Sequence, residues 1–191
     1  MIPSSLLLLL LHAPPQFTRV EEADGVLVEA RAVSGSPLVE LRLTTSTRKS
    51  PESLCAAAFG TGKLDPEEPE LTSRKVLYET EDERVTYDQM RPPMVSARDY
   101  ASRVKRFRSE DACRVTFEAA NEVAPAKRDG WVRVTRFHGE WKFERAPEGV
   151  TRVTYVVFSD PGGALPPMLV EGTRRKIALR WVKLVLKRGR E

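Results

Sequence analysis

The feature of this sequence that most restricts its fold is a run of short β-type segments followed by one long helical segment. The β-type segments alternate apolar and polar residues, and Gly, Pro or Asp separates them at the spacing of antiparallel strands. The predicted strands are 26–33, 38–47, 74–80, 83–90, 98–107, 113–123, 130–146 (one kinked strand or two) and 149–160. Between the second and third strands we expect a short helix that begins at Ser50–Pro51 and stops at Gly60. A loop with a turn of helix follows it over 61–70.

The last predicted element is a helix from Pro166 to about Lys187. Its apolar positions lie near one face, and most basic side chains lie off that face. The apolar positions are Leu165, Leu169, Ile177, Trp181 and Leu184, and the basic ones are Arg174, Arg175, Lys183 and Lys187. Because an apolar sheet face needs a partner, we predict an α+β fold with a long, curved antiparallel sheet wrapped around the C-terminal α-helix. Such a fold tends to leave a ligand-sized cavity, although an ordinary two-layer α+β domain has the same element order.

Composition excludes several classes of protein. The 191 residues fit one domain, and 41% hydrophobic with 30% charged residues is too balanced for general disorder. No apolar run reaches the ~18 residues of a membrane span. Two Cys and two His are too few for a zinc framework or a disulfide-dense mini-protein. Cys55 and Cys113 would form one disulfide in an exported protein, and would be small buried hydrophobes in a cytosolic one.

Residues 1–16 form an apolar leader that resembles a secretory signal peptide. Leu6–Leu11 is an uninterrupted leucine run, but no Lys or Arg precedes it and no A-x-A-like cleavage site follows it. The leader is therefore either a signal for a periplasmic or secreted protein, or an apolar tail on a cytoplasmic one. The fold is assigned to residues 17–191.

Charge is distributed unevenly along the chain. Residues 1–97 carry 10 basic and 15 acidic residues, whereas residues 98–191 carry 21 and 12. Residues 165–191 alone carry 8 basic and 2 acidic residues. Nucleic-acid binding is not expected, because only Trp181 accompanies these cations and it lies on the apolar side of the helix. The basic segment predicts either docking on an anionic membrane surface or a solvated helix face.

Three segments resemble the START family of lipid-transfer domains, in the helix-grip superfamily. Residues 17–33 resemble its opening strand, and residues 95–107 carry an S-x-R-D-aromatic core at Ser96, Arg98, Asp99 and Tyr100. Residues 159–170 resemble its Asp-x-x-Gly-x-Leu-Pro junction into the last helix, and GWVRV at 130–134 fits its strand with a Val-Arg pair. The resemblance implies a monomer that holds one lipid or other hydrophobic molecule in a tunnel, without a cofactor, metal or catalytic residue.

Strand alternation and this resemblance together predict the residues that face the ligand. They are Asp88, Met90, Tyr100, Ser102, Val104, Phe117, Trp141, Phe143, Tyr155, Val157, Leu169 and Ile177. In sterol-binding members, an acidic residue at the position of Asp88 pairs with an Arg at the position that is Val104 here. Half of that pair is missing from its usual place, which predicts a more apolar ligand or a polar head read by other groups. Asp88 either anchors a ligand hydroxyl or lies at a strand end in water.

The residues around these positions have structural interpretations. Arg98 and Asp99 are adjacent and point to opposite faces, so we expect each to fix neighbouring loops or strands. His138 is expected in a turn, and Gly162–Gly163 lets the chain turn into a movable last helix. The enzymatic alternative is a cavity enzyme of the polyketide cyclase or aromatase type, with Tyr100, Arg98 and Asp88 as candidate acid–base groups.

Overall fold

One β-sheet spans almost the whole chain. The computed structural model describes residues 15–92, 95–163 and 165–190, and within these ranges it has ten strands and two α-helices. The strands are β1 (Thr18–Ala23), β2 (Val26–Ala32), β3 (Val39–Thr47), β4 (Leu71–Glu79), β5 (Glu83–Met90), β6 (Arg98–Arg108), β7 (Ala112–Ala119), β8 (Val132–Arg133), β9 (Arg136–Ala146) and β10 (Val150–Asp160). The helices are α1 (Pro51–Phe59) and α2 (Pro167–Arg188). The predicted α+β class, a sheet with one long C-terminal helix, is confirmed.

The sheet brings the two ends of the chain together. Its strand order is β1-β2-β3-β10-β9-β7-β6-β5-β4, so the last strand pairs with β3 from the N-terminal hairpin. These pairs are antiparallel, and the two-residue β8 adds a short parallel pairing with β6. The central strands β10, β9 and β7 are therefore flanked on both sides, and the edges are β1 and β4.

The structure corrects several local predictions. The segment before β2 is itself a strand, β1, joined to β2 by a turn in which Asp24 and Gly25 have positive φ. Residues 130–146 form β8 and β9, and β9 runs through Gly139 without a break. The segment 61–70 contains turns and no helical residue, and the strand predicted over 113–123 ends at Ala119.

Helix α1 has the predicted boundaries, because its end signals are local. The Ser50 hydroxyl accepts a hydrogen bond from the Ser53 N–H (3.2 Å), Pro51 occupies the first turn, and Gly60 ends the helix. A disulfide joins Cys55 of α1 to Cys113 of β7, with both residues buried and 6.0 Å between their Cα atoms. The helix is therefore covalently attached to the sheet.

The main core lies on one side of the sheet, which we call the inner face, and two smaller apolar clusters lie outside it. Buried apolar side chains of this face pack with α1 and α2. They include Val28, Leu41, Leu43, Cys113, Val115, Trp141, Phe143, Val153 and Tyr155. Buried side chains alternate along β7, β9 and β10, as the period-2 pattern predicted, whereas β5 is buried on both faces.

The packed face of α2 is rotated from the predicted one. Its buried side chains are Val170, Arg174, Ala178, Val182, Leu184 and Val185. The helix contacts α1 as well as β3 and β10, and the position of α1 was not part of the sequence argument. Arg174 was predicted to lie off the packed face, and this was wrong. Its guanidinium is buried because it donates to the Glu171 carboxylate (2.8 Å) and to the Val39 carbonyl (2.9 Å).

The predicted leader falls largely on residues 1–14, which lie outside the described residues. Among the helices of the described ranges, none has the length and apolar character needed to cross a membrane.

Candidate functional site

Most of the predicted ligand-facing residues share the inner face. Strand register places Tyr100 opposite Asp88, Val104 opposite Phe117, and Trp141 opposite Tyr155. The ten on this face are Asp88, Met90, Tyr100, Ser102, Val104, Phe117, Trp141, Phe143, Tyr155 and Val157. Their contact with a ligand stays a prediction.

The two predicted residues of α2 are not in that set. The side chain of Leu169 lies outside the described part of the structure. Ile177 is 37% exposed, because it lies beside the packed face of the helix rather than on it. The rotation of α2 toward α1 accounts for this difference.

Burial is graded across the inner face. At one end Trp141 and Tyr155 stack with ring centroids 3.9 Å apart, and both are almost completely buried. Farther along the same strands and their neighbours, Val104, Phe117 and Val157 are only half-buried. These three residues lie on interior strands and point away from the outer side of the sheet. Their accessible surface therefore faces the space on the inner side of the sheet.

A buried ion pair borders that space. The Arg74 guanidinium on β4 donates to both oxygens of Asp88 on β5, each at 2.8 Å, and Asp88 is only 1% exposed. Tyr100 on β6 lies opposite Asp88 in the strand register, on the same face of the sheet. The carboxylate of Glu68 lies 3.7 Å from Arg74. Four polar side chains thus converge at one end of the inner face.

The electrostatics of this cluster follow from burial and pairing. Burial is the main factor that raises the pKa of the Tyr100 phenol, and the Asp88 charge adds to it. Burial alone would lower the pKa of Arg74, but its bonds to Asp88 more than offset that effect and raise it. Burial also raises the pKa of Glu68, against the attraction of Arg74. Arg74 is therefore a permanent cation, and Tyr100 is a neutral hydroxyl.

Arg74 was not found from the sequence. As predicted, position 104 is a valine and cannot supply the Arg of the acid–Arg pair. Arg74, the cross-strand neighbour of Asp88, supplies an Arg instead. The alternative that placed Asp88 in water is wrong, because the side chain is buried and paired. Regular pairing of β4 with β5 from their turn would have put Arg74 opposite Gln89. The register shift between Val76 and Tyr78 places it opposite Asp88 instead.

Arg98 of the S-x-R-D-aromatic motif fixes the loop that leads into α2. Its guanidinium donates to the carbonyls of Pro161 (3.0 Å), Gly162 (3.4 Å) and Ser96 (2.6 Å). The prediction that Arg98 fixes a neighbouring loop is confirmed. Because this side chain is fully occupied with carbonyl groups, it holds the entry to the last helix against the sheet.

Asp99 of the same motif organises the opposite face. Its carboxylate is completely buried and accepts two bonds from Arg133 (2.6 and 3.0 Å) and one from the Tyr87 hydroxyl (2.6 Å). Burial would raise the pKa of Asp99, and the bonds from Arg133 and Tyr87 lower it instead. The prediction that Asp99 ties neighbouring strands is confirmed, and its partner is the Arg of the GWVRV segment.

A segment that we call the strap, residues 61–70, closes the β4 side of the interior. The start of the strap is held by the sheet, since Arg84 donates to the Gly60 carbonyl (3.2 Å) and Arg74 to the Lys63 carbonyl (3.4 Å). Its acidic residues reach α2 in three ion pairs. They are Asp65–Arg188, Glu67–Lys187 (3.0 Å) and Glu70–Arg180 (3.3 Å). The strap therefore connects the edge of the sheet to the helix.

Gly139 of β9 leaves room for the ring of Phe117 from the neighbouring strand β7. A Cβ at this position would lie 2.4 Å from the Phe117 ring and 2.3 Å from the Val156 carbonyl oxygen. We expect G139A to destabilise the fold by about 1–3 kcal/mol through overpacking, measured by urea unfolding. Gly172 in α2 has open space around its Cα, so G172A should be neutral or stabilising by up to about 1 kcal/mol. Equal effects of the two changes would contradict this account.

His138 does not belong to the site. It lies in β9 rather than in the predicted turn, and its ring stacks on Phe158 with centroids 5.4 Å apart. Its Nε2 is 3.3 Å from the Glu40 carboxylate, with the imidazole more than half exposed. In the described ranges no group of three or more His, Cys, Asp or Glu side chains has the arrangement of a metal site.

Comparisons with known proteins agree with this geometry. The family model of the START domain matches residues 75–191. An uncharacterized protein of Pseudomonas aeruginosa is 29% identical over 153 residues, which are 78% of this chain and 74% of that protein. The STAR-related lipid transfer protein of Xanthomonas axonopodis (fragment 25–204) superposes with a TM-score of 0.75 at 24% identity, covering 88% of this chain and 96% of that one.

More distant structures share the fold. Human StAR-related lipid transfer protein 5 has a TM-score of 0.73 at 18% identity, over 91% of this chain and 86% of that one. A di-domain aromatase/cyclase of the steffimycin biosynthetic pathway has a TM-score of 0.53 at 12% identity, over 78% of this chain and half of that one. The match of the family model over more than half of the chain, together with the sheet and its terminal helix, shows that this protein belongs to the START domain family.

Proposed function

We propose that this protein binds one lipid, or a molecule of similar hydrophobicity, between the inner face and α2 without covalent chemistry. The observation that carries the proposal is the half-buried state of Val104, Phe117 and Val157 on interior strands that point toward the helix. Covering several hundred Å² of lipid at about 25 cal/mol per Å² contributes on the order of 10 kcal/mol before the costs of binding. Apolar walls and a route of entry are sufficient for this task.

The polar cluster supports a small uncharged head on the ligand. Arg74 and Asp88 neutralise each other, and burial raises the pKa of Glu68, which favours its neutral form. A charged headgroup would gain little there and would lose its hydration. A hydroxyl or ester could bond the Tyr100 hydroxyl, which is neutral because burial raises its pKa.

Entry requires part of the boundary to move. We propose that the loop around 160–163 opens and that the strap separates from α2, since Arg98 holds the loop with hydrogen bonds and exposed ion pairs hold the strap. The apolar contacts of α2 with α1 and β3 lie on its other side and would stay in place.

Two adjacent valines allow a sharp test of the binding space. Val157 points to the inner face and Val156 to the outer face of β10, and both are half-buried. We expect V157W to fill the space and lower lipid uptake from neutral vesicles at least about ten-fold, which corresponds to about 1.4 kcal/mol. V156W should bind as the native protein does. Uptake is measured by native mass spectrometry after separation from the vesicles, with circular dichroism to confirm folding.

Native mass spectrometry of protein purified from its own host identifies the ligand class. We expect one bound hydrophobic molecule per chain. V104F is a second variant that fills the same space. If lipid uptake by V157W and by V104F were both undiminished, the inner face would be excluded as the binding site.

The cyclase or aromatase alternative has one supporting observation, the convergence of Tyr100, Asp88, Arg74 and Glu68. Proton transfer is most efficient when a group titrates near the working pH. Burial moves the pKa of Tyr100 away from neutrality, and Arg74 holds both oxygens of Asp88. The arrangement therefore favours binding over catalysis. A change in the mass of the bound molecule during incubation would favour the enzyme instead.

A further inference from the structure

We propose that the strap occupies the basic side of α2 as an internal counterpart of an anionic membrane surface, and that docking on such a membrane displaces it. The inference rests on the proposed function, because displacement of the strap would open the lipid-binding interior. The basic C-terminal segment predicted membrane docking from charge alone. The structure adds that most of those cations already have carboxylate partners within the chain.

Four cations of α2 are paired with acidic residues from the N-terminal half. The strap supplies Glu67 to Lys187, Glu70 to Arg180, and Asp65 to Arg188, and the β1–β2 turn supplies Asp24 to Lys183. Carboxylates of the N-terminal half thus compensate much of the positive charge of α2 within one molecule. An external anion must compete with these carboxylates.

The surface beside the strap has the chemistry of a headgroup site. A groove of about 430 Å³ runs along α2, with Leu179 and Leu184 as apolar lining and basic side chains around them. The basic residues are Lys176, Arg180, Lys183 and Lys187, and the carboxylate on the groove is Glu67. Cations beside apolar surface fit an anionic headgroup and the first part of its acyl chains. Lys176 has no ion pair within the described residues, so it is available for the first contact.

Two of the three ion pairs between the strap and α2 are exposed enough to exchange, whereas Asp65–Arg188 is more buried. Lys187 and Glu67 are 71% and 46% exposed, and Arg180 and Glu70 are 41% and 31% exposed. Exposed ion pairs contribute little to stability and are screened by salt. An anionic leaflet attracts each Lys or Arg near its surface and offers many phosphates at once. The membrane therefore replaces the carboxylates without a large net cost.

Displacement of the strap would affect the interior at the β4 edge of the sheet. The strap also contacts Arg74, through the Lys63 carbonyl and Glu68, so it covers the Arg74–Asp88 end of the interior. Release of the segment from α2 would uncover that end while α2 stays packed on α1 and β3. The opening is then coupled to the presence of an anionic membrane.

The test removes the strap carboxylates that reach the groove side of α2. We expect E67Q/E70Q to bind phosphatidylcholine vesicles containing phosphatidylglycerol at least about five-fold tighter than the native protein, because two cations are freed. The matched control is E110Q/E148Q, which makes the same change in net charge at exposed residues that form no ion pair with the described part of α2. The control should change affinity less than about two-fold, since only long-range, screened charge is altered.

Hydrogen exchange tests the displacement itself. Amides of 61–70 in the native protein should exchange faster with phosphatidylglycerol vesicles and remain unchanged with pure phosphatidylcholine. Equal gains in vesicle affinity for the two double variants, or unchanged exchange of the strap on anionic vesicles, would overturn the proposal. V157W should dock as the native protein does, so a failure of lipid uptake and a failure of docking are distinguishable.

Discussion

Replacing Arg74 by methionine is expected to lower the free energy of unfolding by about 3–5 kcal/mol. The change leaves the Asp88 carboxylate buried, 1% exposed, without the guanidinium that holds both of its oxygens. A buried carboxylate without its cation must either keep an unpaired charge or take up a proton, and both are costly. Urea unfolding at neutral pH measures the loss, and a fall of roughly 10 °C in Tm accompanies it.

Two controls separate this effect from lost packing. In R74M/D88N no unpaired charge is left buried, so we expect most of the stability to return. R19M removes a cation from the exposed Arg19–Glu22 pair and should cost less than about 1 kcal/mol. If R74M proved as stable as R19M, Asp88 would have to be hydrated, and the polar end of the proposed binding space would be wrong.

Removal of the Cys55–Cys113 disulfide is expected to lower the free energy of unfolding by about 4 kcal/mol. The two residues are 58 positions apart, so the bond closes a long loop and restricts the unfolded chain. It also ties α1, which packs against α2, to the sheet. Both C55A/C113A and the reduced native protein should show the loss in urea unfolding, and reductant should leave the double variant unchanged.

The same bond bears on where the protein works. We propose a periplasmic or secreted location, since structural disulfides persist in oxidising compartments. Rapid alkylation of fresh cell extracts should then find both thiols blocked. Two freely alkylated thiols in that experiment, with no effect of reductant on stability, would contradict both the stability prediction and the location.

Alternation along the strands was sufficient to predict which side chains share a face. Tyr100, Ser102 and Val104 were assigned together from period 2 alone, and the register confirms that they point inward. The boundaries of helix α1 could also be predicted from the sequence, because Ser50, Pro51 and Gly60 act on the backbone within a few residues. Signals of this kind need no knowledge of the rest of the chain.

Contacts between distant segments could not be predicted from the sequence in this way. The pairing of Arg74 with Asp88 depends on the irregular register of β4 with β5, and no local pattern encodes two register shifts. The rotation of α2 toward Arg174 depends on α1 occupying one side of the helix. The pairing of the strap with α2 joins residues more than 100 positions apart.

The sequence by itself determined the α+β class, the order of the elements, the inward set of strand residues and the START resemblance, because each rests on patterns within a segment. Only the tertiary structure decided that Arg74 completes the polar end of the interior, which loop and strand Arg98 and Asp99 hold, and that an acidic strap pairs with the basic helix. The physical reason is that charges and hydrogen bonds depend on distance in space, and folding sets that distance between residues far apart in the chain.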